Sequence, residues 1–158
     1  MKNDDFTIIV DTREQQPWCF DNYATSKRKL DTGDYSIEGL EHLVGIERKK
    51  SVSEFANNIV ESRFQDVVDR LSQLKYSFLL FEFDLEDILI YPIGSTVPKR
   101  MWNNIKITPA FIMKNVMELQ LIHNIRVAFC GSSGNAEKMA EYILKKVNYL
   151  ERIAKKDI

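Results

Sequence analysis

The chain is poor in cysteine, with only Cys19 and Cys130, which lie far apart. No disulfide framework and no closely spaced thiolate motif can be built from that pair, and the scarcity suits a reducing compartment. Net positive charge is also missing: 22 Lys and Arg face 23 Asp and Glu, a formal charge of −1. Bulk charge therefore does not announce a nucleic-acid binder, whose usual footprint is a strongly basic domain. A polyanionic partner would have to be drawn by local clusters. No apolar run approaches the ~20 residues needed to span a bilayer. The opening residues, MKNDDF, hold no apolar signal core. The expectation is a cytoplasmic protein, neither secreted nor membrane-bound. Repeats and low-complexity tracts are absent. The two histidines, His42 and His123, have no partners at ligand spacing.

What is present reads as one ordinary globular domain over residues 1–158, long enough for a substantial core. Phe6 to Val10 is apolar and β-branched, a buried strand ended by Asp11. Thr12 to Ser26 is polar and without period, hence a loop. Asp34 to Glu38 alternates between Gly33 and Gly39, and His42 to Glu47 follows as its hairpin partner. From Ser53 the period lengthens: Phe55, Ile59, Val60, Phe64, Val67, Val68, Leu71 and Leu74 predict one core-facing helix. Ser51 or Ser53 is its cap. Ser77 to Phe83 is a further strand, and Leu85 to Tyr91 reads as strand or short helix. Thr108 and Pro109 open a helix to about His123. Arg126 to Phe129 is a short strand. A last helix starts near Asn135, with Met139, Ile143, Val147, Leu150 and Ile153 as its buried stripe. Strands alternating with helices imply a three-layer α/β domain with a mixed sheet.

The charged residues gather at strand ends. Asp11 and Glu14 follow the first strand as DTRE, Asp34 opens the second, and Glu47, Arg48 and Lys49 close the third. Side chains alternate along a strand, so Glu47 and Lys49 share a face while Arg48 takes the other. If the strands are neighbours, three or four carboxylates and an ammonium converge. Like charges at contact raise each other's pKa, a cost that a divalent cation removes. An oxygen-only set suits Mg²⁺ or Mn²⁺ rather than zinc. Such an ion polarises a phosphoryl group and acidifies the attacking water, with Lys49 orienting the water or offsetting charge at phosphorus.

Asp34 followed by Glu47-x-Lys49 is the D…(D/E)xK pattern of restriction-endonuclease-like nucleases. The fuller set, "IIVDTRE", "LDTGDYSIEG", "GIERKKSVSEF", "ESRFQDVVDRL" and "SFLLFE", resembles the XPF-type structure-selective endonuclease domain. The resemblance spans about residues 7 to 130 and is strongest over 7 to 82. It implies a restriction-endonuclease-like core, with metal ligands at Asp11, Glu14, Asp34 and Glu47. The catalytic set it implies is Asp34, Glu47, Arg48 and Lys49, with Lys49 the catalytic lysine. Ser53 stands where the family places an aspartate, and Glu54 follows it. Cellular relatives append a tandem helix-hairpin-helix domain. This chain is expected to be a minimal stand-alone version of the phage type, working in a bacterial or phage-infected cell. The implied substrate is branched, flap or junction DNA, in repair or recombination. The implied assembly is a homodimer, with the last helix and the Phe111–His123 helix as contact faces. An inactive DNA-binding or pairing module is the alternative, and the retained acids argue against it.

Candidate DNA contacts are Arg13, Arg48, Arg63 and the loop triplet Lys27, Arg28 and Lys29. Arg48, facing away from its neighbours, is equally readable as an ion pair or as a phosphate contact away from the metal. Trp18 reads as a core plug before a base-stacking ring. Lys99, Arg100 and Trp102 are weaker candidates.

Overall fold

The computed structural model describes residues 3–158. A six-stranded mixed sheet runs through it in the order β2-β1-β3-β4-β5-β6. The strands are β1 (Asn3–Asp11), β2 (Tyr23–Arg28), β3 (Tyr35–Ile37), β4 (Val44–Lys49), β5 (Tyr76–Phe81) and β6 (Arg126–Phe129). β3 is antiparallel to both β1 and β4, and the other pairs are parallel. Helices α1 (Val52–Asn58), α2 (Ser62–Ser72), α3 (Leu85–Leu89) and α4 (Pro109–Leu121) pack on one face. The last helix, α5 (Ser133–Lys156), and the Trp18–Phe20 loop pack on the other. Each face has its own apolar core, so the sheet is the middle of three layers, as the alternation of elements implied.

Three local expectations are corrected. First, Tyr23–Arg28 is a strand, not loop, so Lys27 and Arg28 lie on β2. An edge strand pairs on one side only and tolerates exposed polar side chains, and lysine there discourages further pairing. That is why its sequence, YATSKR, carries no apolar signal.

Second, the helix expected from Ser53 to Leu74 is two helices with a turn at Ile59–Glu61. Phe55 and Phe64 are nine residues apart, so a continuous helix at 3.6 residues per turn would put them on opposite sides. The break lets both rings enter one core, edge to face at 6.0 Å. Ser51 accepts the Glu54 N–H and caps α1. Third, α5 buries Ala136, Ala140, Leu144, Val147 and Glu151. Small alanines let the helix lie close to the sheet, while Met139, Leu150 and Ile153 are left partly exposed. Glu151 is tolerated because Lys75 and the Tyr76 hydroxyl both bond to it, at 2.7 and 2.9 Å.

One backbone position sets up the site. Gly33 has φ +78°, and a Cβ there would meet the Ile46 backbone at 3.2 Å. The next residue, Asp34, donates its N–H to the Ile46 carbonyl at 2.8 Å, docking the β3 entry against β4. Gly33→Ala is expected to cost about 1–2 kcal/mol, the price of a left-handed L-residue. For a chain of this size that lowers Tm by about 2–8 °C in differential scanning calorimetry.

Candidate active site

The C-terminal ends of β1 and β4 and the entry to β3 form the floor of a cleft of about 330 Å³, closed on one side by α2. Asp11, Glu14, Asp34 and Glu47 all line it, together with Arg13, Arg63 and Arg70. The four acids, drawn from separate stretches of sequence, thus line one cleft. Period-two alternation along β4 acts as expected. Glu47 and Lys49 turn to the α2 side, with the Lys49 Nζ 3.3 Å from Glu47 Oε1 and 5.3 Å from the Phe64 ring centre. Lys49 is buried, its charge offset by Glu47 and the aromatic face.

Arg48 goes the opposite way and is corrected as a DNA contact. Its side chain is 5% exposed. Nε and Nη2 fork onto Glu82 at 2.7 and 3.3 Å. Nη1 donates to the Gln16 carbonyl at 2.6 Å and to Glu14 Oε2 at 3.1 Å. Its plane lies 4.9 Å from the Trp18 ring centre, and the indole N–H also reaches Glu82, at 3.0 Å. Burial opposes its charge, but the hydrogen bonds it donates to Glu82 more than offset this and hold the proton more tightly than usual. A guanidinium so occupied has nothing to offer a phosphate. It acts through Glu14, whose Oε2 it shares with the Tyr35 hydroxyl at 2.9 Å. Burial pushes the Tyr35 phenol up, so that proton stays available for Glu14. Trp18 stacks on Tyr35 at 4.5 Å and plugs the core, as read from sequence.

The acids differ in availability. Both Asp11 oxygens carry donors: Arg13 Nε at 2.7 Å on one, and the Leu30 N–H at 2.8 Å on the other. Burial opposes its charge, but these bonds win and hold its carboxyl below the ordinary value. Asp34 takes the Arg48 N–H on one oxygen at 2.8 Å. Burial first, then the charges of Glu47 and Glu14, push its pKa well above the ordinary value. Burial also pushes Glu47 up, and Lys49 opposes that. Among the described residues no three acidic, imidazole or thiol groups stand together as a ready metal cage. The full ring of carboxylates expected from the sequence is thus not assembled, because arginines hold Asp11 and Glu14. The donors still fit a hard cation of the Mg²⁺ type. Such an ion takes one or two carboxylates and fills its shell with water and substrate phosphate. Asp34 and Glu47 are the pair whose mutual repulsion it would relieve. Glu54, beside the site, accepts the Lys50 N–H at 2.8 Å and closes a turn.

Of the expected basic contacts, Arg63 stands at the rim with its side chain 87% exposed. Arg13 is also largely exposed. Lys27 and Arg28 on β2 and Lys29 just after it are exposed but outside the cleft lining, and Arg28 pairs with Glu38. Sequence reading missed Arg70, seven residues after Arg63. Two helical turns put both on one side of α2, a spacing that could have been read.

Raised Asp34 has a signed consequence. A carboxyl with an elevated folded pKa favours the fold while protonated, below its unfolded value, and that contribution is lost as pH rises through the folded value. In metal-free protein, Asp34→Asn is expected to raise Tm near pH 8 by about 2–4 °C per kcal/mol of repulsion relieved. The gain should shrink toward pH 4, and thermal melts across pH read it.

Residues 10–144 match the family model described as the ERCC4 domain. No curated protein sequence matches the chain. The structure of XPF from Aeropyrum pernix is similar at 19% identity and TM-score 0.66, over 94% of this chain and 69% of that one. XPF from Aeropyrum pernix in complex with DNA is similar at 20% and 0.67, over 91% and 66%. At such identities the likeness is one of fold, and it bears out the architecture implied by the VDTRE, GDY and ERK segments. Because the family model matches most of its length, motifs included, the chain belongs to the ERCC4 domain family.

Proposed function

We propose that this protein is a divalent-metal-dependent DNA endonuclease acting in the cleft between β4 and α2. The observation that supports this most is the meeting of Asp34 and Glu47 in one cleft, with the buried Lys49 ammonium 3.3 Å from Glu47. Asp34 and Glu47 would hold Mg²⁺ or Mn²⁺. When bound, that ion supplies positive charge at the phosphate and a more acidic water. Glu14, steadied by Tyr35 and Arg48 through one oxygen, presents the other toward the cleft. Arg13, paired with Asp11 and largely exposed, is placed to contact a phosphate, and Asp11 would then be a further ligand. Water attacks phosphorus in line with the 3′ oxygen. The new P–O bond forms as the P–O3′ bond breaks, giving 5′-phosphate and 3′-hydroxyl ends. Lys49 aims the water and donates to the charge growing on the phosphoryl oxygens.

An acidic floor repels a polyanion unless its rim is basic, and Arg63 and Arg70 supply that rim. The preferred substrate is branched or partly single-stranded DNA, as the motif resemblance implies. Two copies pair through α4, whose end leaves Leu121 and Ile122 81% and 70% exposed.

Purified protein with Mg²⁺ or Mn²⁺ is expected to cut flap, fork or junction DNA. Lys49→Ala should lower the rate at least about 100-fold with circular dichroism unchanged. A wild type that cuts none of a duplex, single-strand, flap, fork and junction panel sinks the reading. Arg63→Ala and Arg70→Ala should each weaken binding and flatten the log–log salt dependence by about 0.9. Anisotropy with Ca²⁺ in place of Mg²⁺ reads this without turnover.

A further inference from the structure

Helix α5 carries charge in a pattern that the cleft does not explain. It is 24 residues long, about 36 Å at 1.5 Å per residue. Its three acids are occupied. Glu137 accepts the Phe20 N–H at 2.7 Å, Glu141 takes Lys138 at 3.0 Å, and buried Glu151 takes Lys75 and Tyr76. On the side opposite the buried stripe stand Tyr142, Lys145, Lys146 and Tyr149, followed by Arg152 and Lys156, all exposed. Tyr142 and Tyr149 are 67% and 54% exposed. Seven residues, about 10.5 Å along the axis, separate them. A slot of about 340 Å³, lined by the two tyrosines, Lys145 and Lys146, lies there. The Lys146 ammonium sits 4.9 Å from the Tyr149 ring centre.

We infer that this face binds single-stranded DNA, with the cations following the phosphates and the tyrosines stacking on unpaired bases. Cationic grooves with exposed rings hold single strands in this way, without regard to sequence. Duplex bases are already stacked on one another and offer no free face to the exposed rings. Ser133, in the first turn of α5, lies 3.4 Å from Arg48, on the face of the sheet opposite the cleft, and the tyrosine–lysine face begins nine residues, about 13.5 Å, farther along the axis. The inference concerns binding and does not rest on cleavage.

The test is anisotropy with labelled dT15 in EDTA at low salt, alongside sedimentation of each variant. Tyr142→Ala with Tyr149→Ala should weaken dT15 binding about tenfold and affect a duplex of equal length less. Lys145→Gln with Lys146→Gln should reduce the salt slope by about 1.4, two single-strand phosphates. These residues are exposed, and circular dichroism confirms the fold. Binding equal to wild type in both variants overturns the inference. So does a loss that appears only with a change from dimer to monomer, which would assign the face to a second copy. If the wild type fails to bind dT15 at low salt, the inference also fails, whatever the cleavage panel shows.

Discussion

The Arg48 guanidinium is the interaction on which the arrangement depends. It lies between the sheet and α5, pressed on Trp18 and forked by Glu82, with Glu14 on its remaining side. These groups come from the loop after β1, from β4 and from the end of β5, so one cation ties together the elements that shape the cleft. A buried charge is tolerable only when paired and hydrogen-bonded throughout, and here nearly every donor has a partner. Breaking it would leave Glu82 with the Trp18 N–H and Glu14 with the Tyr35 hydroxyl, and take from each its cationic partner.

The other side of β4 carries the opposite problem. Asp34 and Glu47 are held close by backbone bonds that belong to the sheet, and their repulsion is not fully answered by Lys49. Stability would favour protonating them, whereas function as proposed wants them ionised around a cation. Such stored repulsion is common where a fold serves chemistry. Gly33 eases the approach: its left-handed backbone and missing Cβ let Asp34 dock against β4 without strain.

Much of this was legible in the residues. The apolar runs of β1 and β5 and the Thr108–Pro109 helix start are local signals, and they sit where local chemistry puts them. Elements failed where the deciding partner was distant. β2 has no apolar pattern because its partner is present on one side only. The α1–α2 break is invisible to periodicity, since the cause is a shared core for Phe55 and Phe64. α5 is rotated from its largest side chains because the sheet prefers the alanines. The sequence allows two readings of Arg48, since its burial depends on Trp18 and Glu82 arriving from elsewhere.

The sequence alone determined the alternation that sends Glu47 and Lys49 one way and Arg48 the other, because side-chain period is a property of the strand itself. It also determined which acids and bases exist to be used. Tertiary structure alone decided which acids are free. Asp11 and Glu14 are engaged by Arg13 and Arg48, while Asp34 and Glu47 are left to repel, and no spacing along the chain encodes those neighbours. The physical reason is that electrostatic availability is set by through-space partners and burial, both of which appear only once the layers have closed.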